Sequence, residues 1–145
     1  PVAPTSWRLE MAGFGRRAAA YIVDGIILTI IQTVLAIPVG ILSESGSEEV
    51  ATLTSCIAMV ALITLSVWYF VFLQARSGQT PGKKMLGIRV VSTDGGQVTK
   101  GRYFVRLIGY SISAMLLYIG FLMVLWDSNQ QALHDKLANT YVVRD

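Results

Sequence analysis

Of the 145 residues, 53% are hydrophobic and only 14% charged, with a mean hydropathy of +0.55 and a formal net charge of +3. A soluble domain carries about a quarter charged residues. This composition therefore excludes a disordered chain, a nucleic-acid-binding domain with a basic stripe, and a soluble enzyme with a small buried core. A membrane protein of single-domain length remains.

The charge is distributed as a membrane chain requires. Residues 1–12 read as an interfacial lead-in, in which Trp7, Leu9 and Met11 alternate with Arg8 and Glu10. Three runs without a charge follow: 19 residues from Gly25 to Ser43, 26 from Val50 to Ala75 and 20 from Leu107 to Trp126. About 20 apolar residues cross the hydrocarbon core. The first helix is expected over about 13–42, with Pro38 and Gly40 bending or fraying its end, and the second over about 50–74. Thr52, Thr54, Ser55, Thr64 and Ser66 in the second suit helix contacts in lipid, and Trp68 and Tyr69 mark an interface. Asp24 interrupts the first apolar stretch, so that stretch is expected to be retained and not cleaved as a signal peptide.

Between the second and third runs the chain has soluble-type punctuation. Thr80 before Pro81 is a helix-start signature, and Gly87 is placed to end that short turn. Gly87 to Thr93, the turn Asp94-Gly95-Gly96 and Gln97 to Thr99 read as a β-hairpin within 87–100. Thr140 to Val143 form another β-type run and offer a third strand, since a hairpin alone is barely stable.

Arg8, Arg16 and Arg17 precede the first run, Glu44, Glu48 and Glu49 fill the loop after it, and seven basic residues occupy the long segment that follows. By the positive-inside rule the N-terminus and the long segment are cytoplasmic. The basic balance is then a topology signal, with some attraction to anionic headgroups. The third run, about 103–126, has two readings. As a single span it sends the polar tail 127–145 outside, away from the hairpin. As a re-entrant pair of half-helices broken around Tyr118 to Gly120, it returns the tail to the same side, which protein shielding permits.

The inventory of chemical groups is narrow. Cys56 is the single cysteine and His134 the single histidine, which excludes an intramolecular disulfide, a Cys/His metal site and most Ser-His-Asp readings. Gly78 to Lys84 superficially matches a P-loop. Its spacing is one residue short, Lys84 stands where a magnesium-binding Ser or Thr belongs, and no strand precedes it. No enzyme, cofactor or metal is expected. Asp24 is the informative residue: about seven residues into the first helix, it lies roughly 10 Å deep, where an ionisable group is functional by default. Arg17, seven residues earlier, is within about 20° of the same face. Their backbone separation of about 10 Å disfavours a close ion pair, so each needs a further partner. The bland alternative is that Arg17 snorkels and Asp24 is a polar staple between helices. In the tail, Asp135 and His134 are candidates to join a membrane-side cluster, with Asp127 and Lys136 as possible support.

Three stretches, Ala12-Gly13-Phe14 with Arg17, Ala20 and Asp24, then Gly78 to Val91, then Gln131 to Ala138 with Thr140, Val142 and Val143, resemble the RDD family of small prokaryotic membrane proteins. The family's defining arginine and two aspartates resemble Arg17, Asp24 and Asp135. Asn139 departs from the glycine common there. The resemblance implies a membrane role, with transport proposed for the family and cation/proton exchange attributed to some members. Family sequences often carry arginines just before the His-Asp motif, which favours an internal tail and so the re-entrant reading. Asp135 would then reach Arg17, leaving Asp24 deeper, unpaired and protonatable.

The expected fold is an all-α transmembrane bundle, two long helices plus a third membrane run, with a small cytoplasmic β-hairpin or β-sheet element. The expected function is a prokaryotic inner-membrane transporter or transport subunit, N-terminus cytoplasmic, with a proton or monovalent-cation site at Asp24, Arg17 and Asp135. The alternative is a non-transporting adaptor that recruits a protein partner or anionic lipid. Three or four short helices enclose a pathway poorly, so a homo-oligomer or larger membrane partner is expected, with Gly109 and Ser113 at small-xxx-small spacing for a tight helix contact.

Overall fold

A computed structural model describes residues 11–94, 97–116 and 118–144. The expected lead-in around Trp7 and most of the Asp94-Gly95-Gly96 turn lie outside the described residues. Helix α1 spans Phe14–Ser45 and helix α2 spans Glu48–Ser77. Each is long and apolar enough to cross a bilayer, and only 6% and 11% of their most apolar windows are buried within the chain. The large side chains Ile26, Ile30, Val34, Leu53, Ile57 and Val60 all point outward. Outward apolar surface on this scale belongs in lipid or against another membrane protein.

Pro38 lies inside α1 and does not end it, in keeping with the tolerance of membrane helices for proline. Ser47 caps α2 through a bond from the Val50 N–H, and Glu48 and Glu49 occupy its first turn, the favoured end for acids. The hydroxyls of Thr52, Thr54, Ser55, Thr64 and Ser66 each donate to the carbonyl four residues back. They serve mostly their own helix; only Ser66 also joins the two helices, accepting from Gln32 Nε2 at 3.0 Å. Near its end α2 loosens into a π-helical stretch, Trp68–Leu73, before the last turn Gln74–Ser77.

Gly78 (φ +73°) turns the chain out of α2, and a Cβ there would lie 2.9 Å from the Val90 carbonyl oxygen. Thr80 caps the short helix α3, Pro81–Met85, with Pro81 in its first turn, as the sequence predicts. Strand β1, Ile88–Ser92, follows. Helix α4 spans Lys100–Met115; between Met115 and Ile119 the axis turns by 112° into α5, Ile119–Leu122, and a 3-10 turn, Met123–Leu125. Tyr118 takes the left-handed conformation at this break (φ 64°). Helix α6, Leu133–Ala138, packs along α4, and β2, Thr140–Arg144, ends the described chain.

The expected hairpin is not formed. β1 pairs antiparallel with β2, Ile88 opposite Arg144 and Val90 opposite Val142, and Gln97 to Thr99 are not a strand. Two physical reasons are visible. Thr99 is the N-cap of α4, accepting from the Arg102 N–H. Pairing with β2 also buries Ile88, Val90 and Val142 in one core with Ala12, Ala20, Val71 and Tyr103, apolar burial that a bare hairpin lacks. The sheet thus holds the C-terminal strand beside the segment that follows α3.

Candidate functional site

Arg17, near the start of α1, faces inward among three chain segments. Its Nε donates to the Ala12 carbonyl (2.9 Å), Nη2 to the Gln130 carbonyl (2.6 Å), and Nη1 to Asp135 Oδ2 (2.5 Å). A guanidinium presents five donors in a rigid fork, so one residue fastens the N-terminal stretch and the polar tail together. The expected Arg17–Asp135 contact is present.

Asp135 is fully buried. At the third position of α6 it accepts from the Ala132 N–H at 3.1 Å, as an acid in a first helical turn does. Its other oxygen receives Arg106 Nη1, and His134 Nε2 approaches it at 3.4 Å. Burial by itself would push this carboxyl up; the Arg106 charge, then His134 and Arg17, and the Ala132 N–H, outweigh burial and hold it far below the usual carboxylate range.

Arg106 is the residue that sequence reasoning missed. It lies 1% exposed on α4 and also donates to Thr140 Oγ1 (2.6 Å) and Tyr110 OH (3.3 Å). The signal was present in the spacing: Arg106, Gly109 and Ser113 recur at one-face intervals, and with Tyr103 they are the buried residues of α4. That face packs within the chain. A Cβ on Gly109 would sit 2.6 Å from the His134 Cβ, and Ser113 lies against Gly120.

Asp24 belongs to a second, separate cluster: the fold brings Arg17 and Asp135 into contact but not Asp24 with them. It is 1% exposed, and its Oδ1 accepts from Tyr69 OH (2.7 Å) and the Gly82 N–H (2.8 Å). Its Oδ2 accepts from Thr80 Oγ1. Among the described residues no Lys or Arg pairs with it within 4 Å, as expected. It is nonetheless hydrogen-bonded at both oxygens, not bare. Each donor is placed by local structure: Tyr69 by the π-helical stretch, Thr80 as the α3 cap, and Gly82 because a Cβ would come within 2.8 Å of the Asp24 carboxyl carbon. Tyr69, Thr80 and Gly82 were not read from the sequence as partners of Asp24; Thr80 was read only as a helix cap.

The expected supporting residues divide likewise. His134 joins Asp135 and lies against Tyr110, the ring centroids 4.2 Å apart and the planes tilted by 43°. Burial holds its imidazole well below the usual value, against the pull of Asp135 and with the push of Arg106, Arg17 and Lys83. Asp127 and Lys136 instead pair with each other at the surface. Asp127 also accepts from the Asn129 and Gln131 N–H groups, so it organises the tail's turn.

The two clusters border one cavity of about 310 Å³, reached by Arg17, Asp24, Lys83, Arg106 and His134 and otherwise walled by apolar and aromatic side chains. Lys83 is buried, its ammonium donating to the Gln74 side-chain oxygen at 2.6 Å when that amide is oriented to satisfy both of its ends. Burial pushes the Lys83 ammonium below its usual range.

The sequence pattern of the RDD family matches residues 11–139. The chain belongs to the RDD family. Among similar proteins is YxaI of Bacillus subtilis, 33% identical over 91% of this chain and 96% of its own length. The proline-rich antigen homolog of Mycobacterium tuberculosis is 32% identical over 72% of this chain, and the proline-rich antigen of Mycobacterium leprae 30% over 86%. This chain spans only 44% and 57% of those two antigens. No solved structure matches the chain. With helices long and apolar enough to span a bilayer, this RDD-family chain is an integral membrane protein.

Proposed function

We propose that the chain is an inner-membrane transport protein or transport subunit in which Asp24 exchanges a proton or a monovalent cation. The observation that carries the reading is a buried carboxylate held by neutral donors only, at the edge of a chamber that also meets three basic side chains. Asp24, Thr80 and Tyr69 bring oxygens together there, and the Ala20 carbonyl lies against Gly82 beside them. Oxygen sets at interrupted helices are what transporters use for sodium or protons. Arg17, Arg106 and Asp135 hold the tail and the sheet against α1, and the two arginines also line the chamber.

The topology that goes with this reading has a cytoplasmic N-terminus by the positive-inside rule. The 112° turn after Met115 and the β1–β2 pairing support a re-entrant third run that returns the tail to that side. The exposed faces of α1 and α2 favour a homo-oligomer or a larger membrane partner. The test is cation-dependent proton flux in proteoliposomes with wild type and Asp24→Asn. Loss of flux with retained fold is the expected result; unchanged flux removes Asp24 as the carrier.

A second reading, a non-transporting adaptor, draws on the fact that both carboxylates fasten loops to helices. It expects Asp24 and Asp135 variants to lose stability with no ion-linked effect. Thermal unfolding against a cation series at two pH values separates the two, because a site-bound ion stabilises the fold by mass action.

A further inference from the structure

With Lys83 in its ammonium form, the chamber carries more positive charge than its own acids balance. Arg17, Lys83 and Arg106 line it, with one lining acid, Asp24. Counting Asp135 behind the arginines, three cations meet two carboxylates, one positive charge in excess. The Asp24 oxygens are taken up by Tyr69, Thr80 and Gly82, and those of Asp135 by the two arginines and Ala132. Excess charge away from water is expensive unless it is paired.

Two lining side chains also hold buried nitrogens without a hydrogen-bond partner among the described residues, Arg106 Nε and His134 Nδ1. Buried polar groups are rarely left so, and an arginine N–H can only donate. What completes Arg106 Nε must be an acceptor. The remaining walls are apolar, with the aromatic rings of Tyr21, Phe70, Tyr110 and Phe121 prominent among them. At its rim stand Ile22, 61% exposed, and Tyr118, 59% exposed, on the outward faces of α1 and of the bend after α4. In a bilayer these faces meet acyl chains. The volume is at the low end for a ligand pocket, enough for a headgroup and its first carbons.

We propose that this chamber binds an anionic amphiphile, its carboxylate or phosphate head held by Lys83 and Arg106 Nε and its tail passing Ile22 and Tyr118 into the lipid. The head supplies the counter-charge and the missing acceptor, and the aromatic walls cover the first carbons. A bound anion also favours the charged form of Lys83, whose other charged or titratable neighbours are Asp24 on α1, Arg106 and Tyr110 on α4 and Asp135 on α6. This site stands whether or not Asp24 carries an ion.

The test uses the full chain in phosphatidylcholine nanodiscs, with dodecyl phosphate, dodecyltrimethylammonium and inorganic phosphate as probes in thermal unfolding and calorimetry. Dodecyl phosphate should stabilise saturably, and Lys83→Met should weaken it by about tenfold or more, the scale of a charge-assisted hydrogen bond. Equal stabilisation by inorganic phosphate, or by the cationic surfactant, overturns the proposal. So does unchanged affinity in folded Lys83→Met. Should that variant not fold, a photoreactive alkyl phosphate on wild type decides: labelling confined to the segments bearing Ile22, Tyr118 and Leu122 supports the site, and labelling spread along α1 and α2 overturns it. Binding without Asp24-dependent flux removes the transport reading alone; such flux without binding removes this inference alone.

Discussion

Replacing Asp135 by Asn keeps the side-chain volume and removes the charge that two guanidiniums share. The Asp135 side chain is 0% exposed, Arg106 2% and Arg17 11%. The Arg17 contact is partly screened, so most of the loss falls on Arg106, left charged and buried. Deleting one member of a buried pair costs about 3–5 kcal/mol, equivalent to a shift of about 150- to 4,000-fold in the unfolding equilibrium. Unfolding in mixed micelles by dodecyl sulfate titration, followed by far-ultraviolet circular dichroism, measures it. Lys136→Met is the control: its ion pair with Asp127 is 43% exposed on the lysine side and should be worth less than about 1 kcal/mol. The double variant Asp135→Asn, Arg106→Gln should lose clearly less than the two single losses added, since contacting charges couple. An Asp135→Asn loss below about 1 kcal/mol, or strict additivity in the double variant, would refute the assignment of the tail's attachment to this ion cluster.

The pH dependence follows from the same groups. His134 is the single histidine and is held well below its usual value; the unfolded chain therefore takes up a proton as pH falls below about 6.5 while the folded chain does not. Stability should be full above that pH and decline below it, by at most about 1.4 kcal/mol per unit, and His134→Phe should flatten the pH 6.5 to 5 limb of the unfolding titration. Asp135, also depressed, keeps its contribution above about pH 4 and loses it only in stronger acid, so a persistent decline in His134→Phe at pH 6 would count against this assignment. Gly109→Ala should destabilise by about 1–3 kcal/mol through overpacking, since the added Cβ meets His134 Cα at 2.7 Å, even though alanine is the better helix former by about 1 kcal/mol; a stabilised variant in the same dodecyl sulfate titration would show that α4 and α6 are not in contact there.

Much of this protein is written in local pattern. Charge-free runs, the asymmetry of basic residues and the Thr80-Pro81 start signal depend on neighbours in sequence, so the two long helices, the short α3 and the membrane class were legible without a structure. The inward aim of Arg17 and Asp24 was legible for the same reason, because helical periodicity carries direction. Long-range partners were not. The strand at Ile88–Ser92 was correctly placed but wrongly paired, since β-propensity names a strand and not its neighbour, and the nearest candidate lost to one whose pairing buried more apolar surface. Arg17 and Asp24 share a face, yet their partners arrive from different parts of the chain: Asp135 on α6 for one, and Tyr69, Thr80 and Gly82 from the end of α2 and α3 for the other. Arg106 was counted in the sequence as one more cytoplasmic cation, and only the packing of α4 against α6 made it a buried one. The low charge count by itself determined the solvent this chain folds in; which of its few charges meet was decided by tertiary contact, because an ion pair depends on distance in space and helix periodicity specifies only direction.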